Sequence, residues 1–547
     1  MKIRIATRGS ELALWQAHYT KSKLEGAGAT VEILVLKTRG DLIDNVPLSK
    51  VEGKAFFTAE IERALLDGDA EVAVHSHKDL PTEMTPGLVI AAVPPRATHN
   101  ERLLVRPDAL DESAAFLPLK RGARVGTSAP RRLEQLRTLR PDLVVLDLRG
   151  NVPTRVRKAR EGQYDAVVLA AAGLDRLELS TEGLVPVDLP IELFVPAPAQ
   201  GALAIQTRSD DRATYDFVRR VMHDEGTEVA IAAERSLLSG AGGGCSLPLA
   251  AAVQRHAAGY VAYGFLGAGH PAGTAHARWV VAKGASPREA MTTVLGHLTA
   301  GHATGAGPLG GLRVALAGSA HDGSQLAERL AALGARVVTE RVIELEPLAG
   351  VDLAGFVAKA RSGDVIAVTS RQAARMLAGC KVQDGVRFAA VGHSTARQLK
   401  ESGFEASWTG DGGARELGHK LEITGKNSVF WPCAAEALPE LEEALKERGI
   451  ALSKLAIYHT RVVKGAQLSS DVDVRVYMSP SAVEAGLAWE RANPGRATER
   501  FALGHSTAKA LEAAALPARA PGCSSAPITD ELVAELSRLV RKTVSQR

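Results

Sequence analysis

At 547 residues the chain has room for three to four domains of about 150 residues each. Its 46% hydrophobic and 23% charged residues exclude a disordered, collagenous or coiled-coil chain. The 66 Lys and Arg against 62 Asp and Glu leave a net charge of only +4, so no polybasic field covers the surface and bulk nucleic-acid binding is not expected.

The opening, MKIRIATRGS, lacks the apolar core of a signal peptide, and no run approaches the roughly 18 apolar residues of a membrane span. Cys245, Cys380, Cys433 and Cys523 stand far apart with no CxxC pair, which fits neither a zinc site nor a secreted disulfide framework. A soluble cytoplasmic chain without a membrane partner is the expectation. Short β-rich runs then alternate with helical patterns. Lys2 to Ala6, Val31 to Lys37, Val72 to Ser76 and Leu88 to Val93 read as strands, with helices near Leu12 to Leu24 and Thr58 to Leu66, the grammar of βαβ units. Pro94 to Leu110 reads as a turn-rich charged connection. Strands near Arg124, Val144 to Leu148 and Ala166 to Ala170, each followed by a helix, predict a second α/β domain. A helix capped by Thr227 runs to about Ser239 and ends in GAGGGC, and Ala251 to Val281 predicts a small sheet-containing unit. Residues 301–311, GHATGAGPLGG, read as a flexible linker.

The remainder carries an internal repeat. AVGHSTARQLKESGFEA from Ala390 matches ALGHSTAKALEAAALPA from Ala502, and VTSRQAARML and YMSPSAVEAGL precede them at similar distances. Each is an apolar strand ending in small hydroxyl residues before a helix. Two similar α/β lobes follow, with a cleft of hydroxyls and helix N-termini suited to carboxylates.

The arginines are the most informative feature of the first half. Between Lys120 and Arg160 twelve cations face three acids. GTSAPRR, LRGNVPTR and AAAGLDR each follow a predicted strand. Arg131, Arg132, Arg149, Arg155 and Arg176 therefore fall at strand C-terminal ends, where open α/β sheets bind ligands. Guanidinium groups converging there would bind a ligand bearing several carboxylates; solvated helix faces and surface ion pairs are the bland alternative. HSHKDLP places Lys78 and Asp79 at another strand end, where a carboxylate beside a lysine can stabilise developing positive charge or exchange protons. His75 and His77 also resemble half of a metal pair on one strand face, although no second half is evident. Cys245 follows three glycines, which lets backbone approach something bulky at the sulfur. A buried thiol and covalent chemistry both remain open for it.

IATRGSELALWQAH, KTRGD, HSHKDLP, GTSAPRR, LRGNVPTR, YDAVVLAAAGLDRL, PAPAQGALAIQ and ERSLLSGAGGGCSLPLAA together resemble the porphobilinogen deaminase (hydroxymethylbilane synthase) family, in colinear order over residues 2 to about 300. From Leu312 the chain resembles uroporphyrinogen-III synthases through the two-lobed repeat, AIYHT, SPSA and GHSTA. The resemblance implies an α/β fold: a three-domain deaminase with two periplasmic-binding-protein-like α/β domains and a small α+β domain, then a two-lobed α/β synthase module. The implied boundaries are 1–95 with about 196–214, 96–195, and 215–300, the last carrying the cofactor cysteine. The synthase lobes would be 312–346 with about 464–547, and 347–463. Cys245 would carry one dipyrromethane per chain through a thioether, with Lys78, Asp79, Ser128, Arg131 and Arg132 around it. Asp79 would stabilise cationic pyrrole nitrogen as each porphobilinogen loses ammonia to give an azafulvene. Arg8, Ser10, Lys54, Arg149, Arg155 and Arg176 would bind acetate and propionate groups. Lys37 to Ala55 corresponds to a mobile active-site loop. In the synthase module Tyr458 would protonate the departing hydroxyl of hydroxymethylbilane, while Ser370, Ser479, Ser506 and Thr507 are candidate carboxylate ligands that read equally well as N-caps or turns. No metal is implied. The expected partners are the small-molecule substrates porphobilinogen and hydroxymethylbilane, and the expected state is a monomer.

Where many family members have a serine this chain has Ala129, and Ala55 replaces a common glycine. Three other readings differ in kind. One keeps the deaminase and makes the C-terminal module inactive or structural. Another is a non-catalytic two-lobed anion-binding protein, which predicts reversible binding without an adduct. The third is a metal-dependent hydrolase using His75, His77 and Asp79, which predicts stoichiometric metal.

Overall fold

The computed structural model describes residues 1–37, 58–114, 116–241, 247–268, 277–300, 307–320, 323–410, 413–425, 427–493, 498–503, 505–514, 532–533, 535–536 and 539–540. It divides into two units, Met1–Gly311 with Ala331–Ala335 and Val540–Arg547, and Leu312–Leu330 with Arg336–Leu539.

The first unit starts with β1 (Lys2–Arg8), α1 (Glu11–Gly26), β2 (Thr30–Leu36), α2 (Ala59–Leu66), β3 (Val72–Ser76) and β4 (Leu88–Ala92). It continues through β5 (Glu101–Val105), β6 (Arg124–Gly126), α3 (Pro130–Leu139), β7 (Val144–Leu146), α4 (Val152–Arg160), β8 (Ala166–Ala170), α5 (Ala171–Arg176), β9 (Val185–Leu189) and β10 (Leu203–Arg208). Two five-stranded sheets result, ordered β2-β1-β3-β10-β4 and β7-β6-β8-β5-β9. In the first, β1 runs parallel to β2 and β3 while β10 runs antiparallel to β3 and β4. In the second, β6 is parallel to β7 and β8, and β5 is antiparallel to β8 and β9. This is periplasmic-binding-protein-like architecture, and the chain crosses between the sheets twice, from β4 to β5 and from β9 to β10. Alternation drives β1 into its sheet: Ile3 and Ile5 are fully buried with Val72, Val74 and Ile205. The other sheet buries Leu104, Val167 and Leu169. The cores are aliphatic, as the 4% aromatic content leads one to expect.

Two local expectations are corrected here. The stretch read as a turn-rich connection contains β5, a strand paired on both sides. Its charged start is neutralised by distant partners, since Glu101 meets Arg131 and Arg132 while Arg102 meets Asp175 and Asp188. The helix expected to be capped by Thr227 is capped three residues earlier and begins at Glu225, because Asp224 takes an extended conformation and accepts the Thr227 backbone N–H at 2.7 Å.

After α6 (Arg212–Met222) and α7 (Glu225–Gly240) comes an antiparallel sheet of β11 (Leu249–His256), β12 (Gly259–Leu266) and β13 (Arg278–Gly284), with α8 (Pro287–Ala300). Leu237, Val253, Ala262, Val280, Met291 and Val294 form the core between helices and sheet.

The second unit holds β14 (Arg313–Gly318), α9 (Ser324–Ala332), β15 (Arg336–Arg341), β16 (Ile343–Pro347), α10 (Leu353–Val357), β17 (Val365–Val368), α11 (Arg371–Met376), β18 (Arg387–Val391) and α12 (His393–Glu401). Then follow β19 (Ala406–Gly410), α13 (Gly413–Lys420), β20 (Val429–Ala434), α14 (Glu440–Glu447), β21 (Leu452–Val462), β22 (Val474–Tyr477), α15 (Pro480–Ala492), β23 (Glu499–Ala502) and α16 (His505–Ala513). They build a parallel sheet β15-β14-β22-β23 and a six-stranded sheet β16-β21-β20-β17-β18-β19. The sequence repeat becomes a repeated path. β17, α11, β18 and α12 in one sheet match β22, α15, β23 and α16 in the other, each with its two strands adjacent and parallel. The four-stranded sheet is braced by a buried ionic group, in which Arg475 bonds Glu340 at 2.8 Å and Glu490 also accepts from Tyr477 and Arg500.

Candidate active site

In the first unit the expected residues sit where parallel strands end. Arg8 is the last residue of β1, and Ser10 caps α1 by accepting the Ala13 N–H. Lys78 and Asp79 lie in a single helical turn directly after β3. Ser128 follows β6 and joins it to the segment after β7, its hydroxyl donating to the Leu148 carbonyl and accepting the Leu148 N–H. Ala129 occupies the cap position of α3 with no side-chain cap, and Pro130 at the first helical position removes one N–H that would need a partner. Arg149 follows β7 and lies 4.0 Å from Asp147. Asn151 caps α4, which carries Arg155, and Arg176 ends α5.

The geometry sorts these cations. Arg124 and Arg140 pair with Asp165 and Asp142 beside the second sheet, while Arg157 meets Glu161 on the exposed face of its own helix. Lys78, Arg132, Arg155 and Arg176 line one cavity of about 110 Å³ together with Leu12 and Ser76. Arg155 donates to the Gly150 carbonyl at 2.7 Å. Arg176 donates to the Gly201 carbonyl at 2.8 Å and its guanidinium lies 5.4 Å from the centre of the Trp15 ring. Burial pulls both groups down to about 10, and for Arg155 the charges of Arg132 and Arg149 add to the effect. Gly201 itself has φ +81°, and a Cβ there would sit 2.5 Å from the Thr98 carbonyl oxygen, so this crossing segment requires glycine.

Lys78 donates to Gln200 Oε1 at 2.9 Å, and the Gln200 amide donates in turn to the His99 carbonyl at 3.0 Å. Burial, reinforced by Arg132 and Arg131 and opposed by Asp79 and Glu101, lowers the Lys78 ammonium to about 8. Asp79 is exposed, and its charge is felt by Lys78, Arg131 and Arg155. Glu101 is a residue the sequence reading missed. Fully buried at the start of β5, it binds Arg132 through both oxygens, at 2.9 and 2.6 Å, and Arg131 at 3.0 Å. Burial alone would raise its carboxyl, yet Arg132 and Arg131 outweigh that and hold it down to about 2. Arg132 also donates to the Val168 carbonyl.

The histidine pair does not share a strand face as expected, because β3 ends at Ser76 and His77 belongs to the following turn. His75 Nε2 lies 3.1 Å from Gln206 Oε1, and burial pushes both imidazoles down to about 4. Lys54, Ala55 and most of the expected loop lie outside the described residues, as does Cys245, four residues beyond the described Ala241.

In the second unit Tyr458, on β21, is buried and donates to Ser370 Oγ at 2.9 Å. Ser370 caps α11 by accepting the Ala373 N–H at 3.1 Å. Thr369 beside it accepts from the Trp431 ring N–H at 3.0 Å. Ser479 caps α15, and Thr507 is buried in α16. The Ser506 side chain lies outside the described residues. His459 next to Tyr458, unremarked in the sequence, meets Glu436 at 2.9 Å.

Fold and charge together define a class, a two-domain α/β protein of periplasmic-binding-protein-like architecture whose cation-lined strand ends suit anions. Residues 3–216 match the family model described as porphobilinogen deaminase, dipyrromethane cofactor binding domain, and residues 324–522 match that described as uroporphyrinogen-III synthase HemD. A porphobilinogen deaminase of Nitratidesulfovibrio vulgaris is 50% identical over 251 residues, covering 46% of this chain and 77% of that one. Another, of Maridesulfovibrio salexigens, is 48% identical over 253 residues, covering 46% and 79%. The chain belongs to the porphobilinogen deaminase family and carries a uroporphyrinogen-III synthase domain behind it. The structure of a mutant uroporphyrinogen III synthase from the extremely thermophilic bacterium Thermus thermophilus is 24% identical, covers 42% of this chain and 99% of that one, and gives a TM-score of 0.31. Among the described residues no helix is long and apolar enough to cross a membrane, and no group of three His, Cys, Asp or Glu could hold a metal ion.

Proposed function

We propose that this chain is a bifunctional enzyme of tetrapyrrole (haem) biosynthesis, acting as a cytoplasmic monomer. The first unit condenses four porphobilinogen molecules into hydroxymethylbilane with release of ammonia. The second closes that product with ring D inverted to uroporphyrinogen III. The observation that carries the reading is the convergence of Lys78, Arg131, Arg132, Arg155 and Arg176 beside the exposed carboxylate of Asp79, in a chain of this family. Its three deaminase domains are residues 1–95 with about 196–222, 96–195 and about 223–300, the expected bound at 214 moving because Val218 and Met222 pack in the first sheet's core; the synthase lobes are 312–342 with about 464–547, and 343–463, because β16 pairs with β21.

The donor set fits a dipyrromethane, a group bearing several carboxylates. Lys78, Arg131 and Arg132 face a single buried carboxylate, Glu101, so positive charge remains for an anionic ligand. Ser128, Lys78, Asp79, Arg131 and Arg132 would hold it, with Cys245 as the attachment. When bound it supplies the pyrrole α-carbon from which the chain grows. Arg8, Ser10, Lys54, Arg149, Arg155 and Arg176 fix the acetate and propionate groups of incoming porphobilinogen, converting each addition into a positioned, effectively unimolecular step. Asp79 stabilises the positive pyrrole nitrogen that develops as ammonia departs, and takes up the proton released after attack. In the second unit the hydroxyls of Ser370, Ser479, Ser506 and Thr507 hold carboxylates, and Tyr458 provides the proton for the hydroxyl that leaves as water. The substrate supplies its own electrophile, so folding it correctly is the main task.

The test is the denatured intact mass of the purified chain beside Cys245→Ser. A wild-type excess of two porphobilinogens less two ammonias, absent from the variant, is expected, since a thioether survives unfolding. A bare mass that persists after porphobilinogen is added would refute the deaminase reading and favour reversible anion binding.

A further inference from the structure

Of the described groups around the deaminase cavity, only Glu101 is a fully buried carboxylate, and nothing in the mechanism above uses it. Its two oxygens accept three N–H groups from two consecutive arginines, and its charge is felt by Lys78. Both guanidiniums are therefore fixed from behind. Arg132 has its Nε and Nη2 edge on Glu101 and its Nη1 on the Val168 carbonyl, while Arg131 bonds Glu101 through Nη2 and its buried Nε has no hydrogen-bond partner among the described residues.

This arrangement also sets charge. Lys78, Arg131 and Arg132 carry three positive charges in a poorly solvated place, and Glu101 cancels one of them from the buried side while exposed Asp79 opposes Lys78 and Arg131 from the other. The chain that grows from the cofactor held by these cations gains one acidic porphobilinogen unit at each of four steps, so the held end must shift to make room, and excess positive charge would hold each stage too long. Ground-state binding of that kind slows turnover instead of speeding it.

We infer that Glu101 is a positioning residue of the deaminase reaction, whose carboxylate aims Arg131 and Arg132 and tempers their charge so that the growing acidic chain is released from one addition to the next. The inference rests on the deaminase reading. Glu101→Gln keeps the shape but gives the two arginines an amide N–H where they need an acceptor, and leaves the cluster one positive charge richer.

The experiment uses the full-length chain carrying its cofactor, with kcat and KM for porphobilinogen measured alongside the denatured intact mass of enzyme quenched during turnover. For Glu101→Gln, kcat should fall by about ten- to a hundredfold without a rise in KM, and species bearing one to three extra porphobilinogen units should accumulate relative to wild type. Glu101→Asp, which keeps the charge, should accumulate them less. A wild-type ladder and kcat in Glu101→Gln, or a raised KM with no accumulation, would overturn the inference. So would equal accumulation in both variants, which would remove the role of charge. A side chain that only supports folding would lower Tm and the cofactor-bearing fraction while leaving the ladder of the remaining holoenzyme unchanged. If wild type carries no cofactor adduct even after porphobilinogen is added, the deaminase reading fails and the inference falls with it.

Discussion

The pH dependence of cofactor uptake follows from Lys78. Burial, with Arg132 and Arg131 nearby, lowers its ammonium to about 8, against about 10.4 for an unperturbed lysine. The folded chain disfavours the charged form, so the ammonium is present below about pH 8 and lost above it, while the unfolded chain would keep it for some two further units. In the cofactor-free chain about nine-tenths of Lys78 is charged near pH 7 and about one-tenth near pH 9, so any step that needs an anion to meet this ammonium slows about tenfold between them. The assay is assembly of the cofactor in apo chain given porphobilinogen, followed by quenched intact mass. Free cysteine thiols in general ionise in the same range, so wild type alone would not isolate the effect. Lys78→Arg supplies the control, because arginine stays charged throughout and every other titration is shared. The wild-type to Lys78→Arg rate ratio should therefore drop about tenfold from about pH 7 to about pH 9. A flat ratio would show that the Lys78 charge has no part in uptake.

Two substitutions separate the activities. Asp79→Asn should leave thermal unfolding and the cofactor adduct intact while lowering kcat at least about a hundredfold, since the carboxylate is exposed and an amide of the same shape takes its place; normal turnover would remove Asp79 from the chemistry. Tyr458→Phe removes the donor to Ser370 and should slow formation of the type III isomer about a hundredfold while ammonia release continues, so that product shifts to the type I isomer formed by spontaneous closure. An unchanged isomer ratio would take the proton-donor role from Tyr458.

What could be read in the sequence divides along a physical line. Strand ends are local, so Lys78, Asp79, Arg131, Arg149, Arg155 and Arg176 could all be placed at carboxyl ends of strands from short motifs. Some of the pairing is local, as in Arg140 with Asp142 and Arg157 with Glu161, but the pairing that shapes the site is not. Which of the twelve cations between Lys120 and Arg160 brace the sheet and which line the cavity depends on Asp165, Glu101 and other partners that only folding brings near. Glu101 is 30 residues from Arg131, and Gln200 is 122 from Lys78. β5 was hidden for the same reason, because Glu101 and Arg102 look like turn charges until their counter-ions are known; the apolar Leu103, Leu104 and Val105 that follow were the available signal. Ser370 shows a local reading that was incomplete, since the side chain both caps a helix and meets Tyr458. The cap at Asp224 instead of Thr227 is a smaller case, in which two nearby candidates differ only in backbone conformation.

Joining the two activities in one chain has a consequence that mutual complementation can measure. Hydroxymethylbilane closes spontaneously to the wrong isomer, so the fraction captured depends on how soon it meets a synthase site. Two sites carried on one chain meet at an effective concentration of order millimolar, whereas separate chains at micromolar concentration must wait for diffusion. A mixture of Cys245→Ser chains, whose deaminase cannot be primed, with Tyr458→Phe chains, whose synthase is disabled, holds both activities only in trans. At micromolar chain concentration this mixture should give a lower ratio of type III to type I than wild type with the same active-site concentrations. The gap should close as total chain concentration rises toward the tethered value, because proximity alone is then no longer an advantage. An identical ratio at micromolar concentration would mean that encounter is already faster than spontaneous closure, and that the fusion contributes nothing to handover.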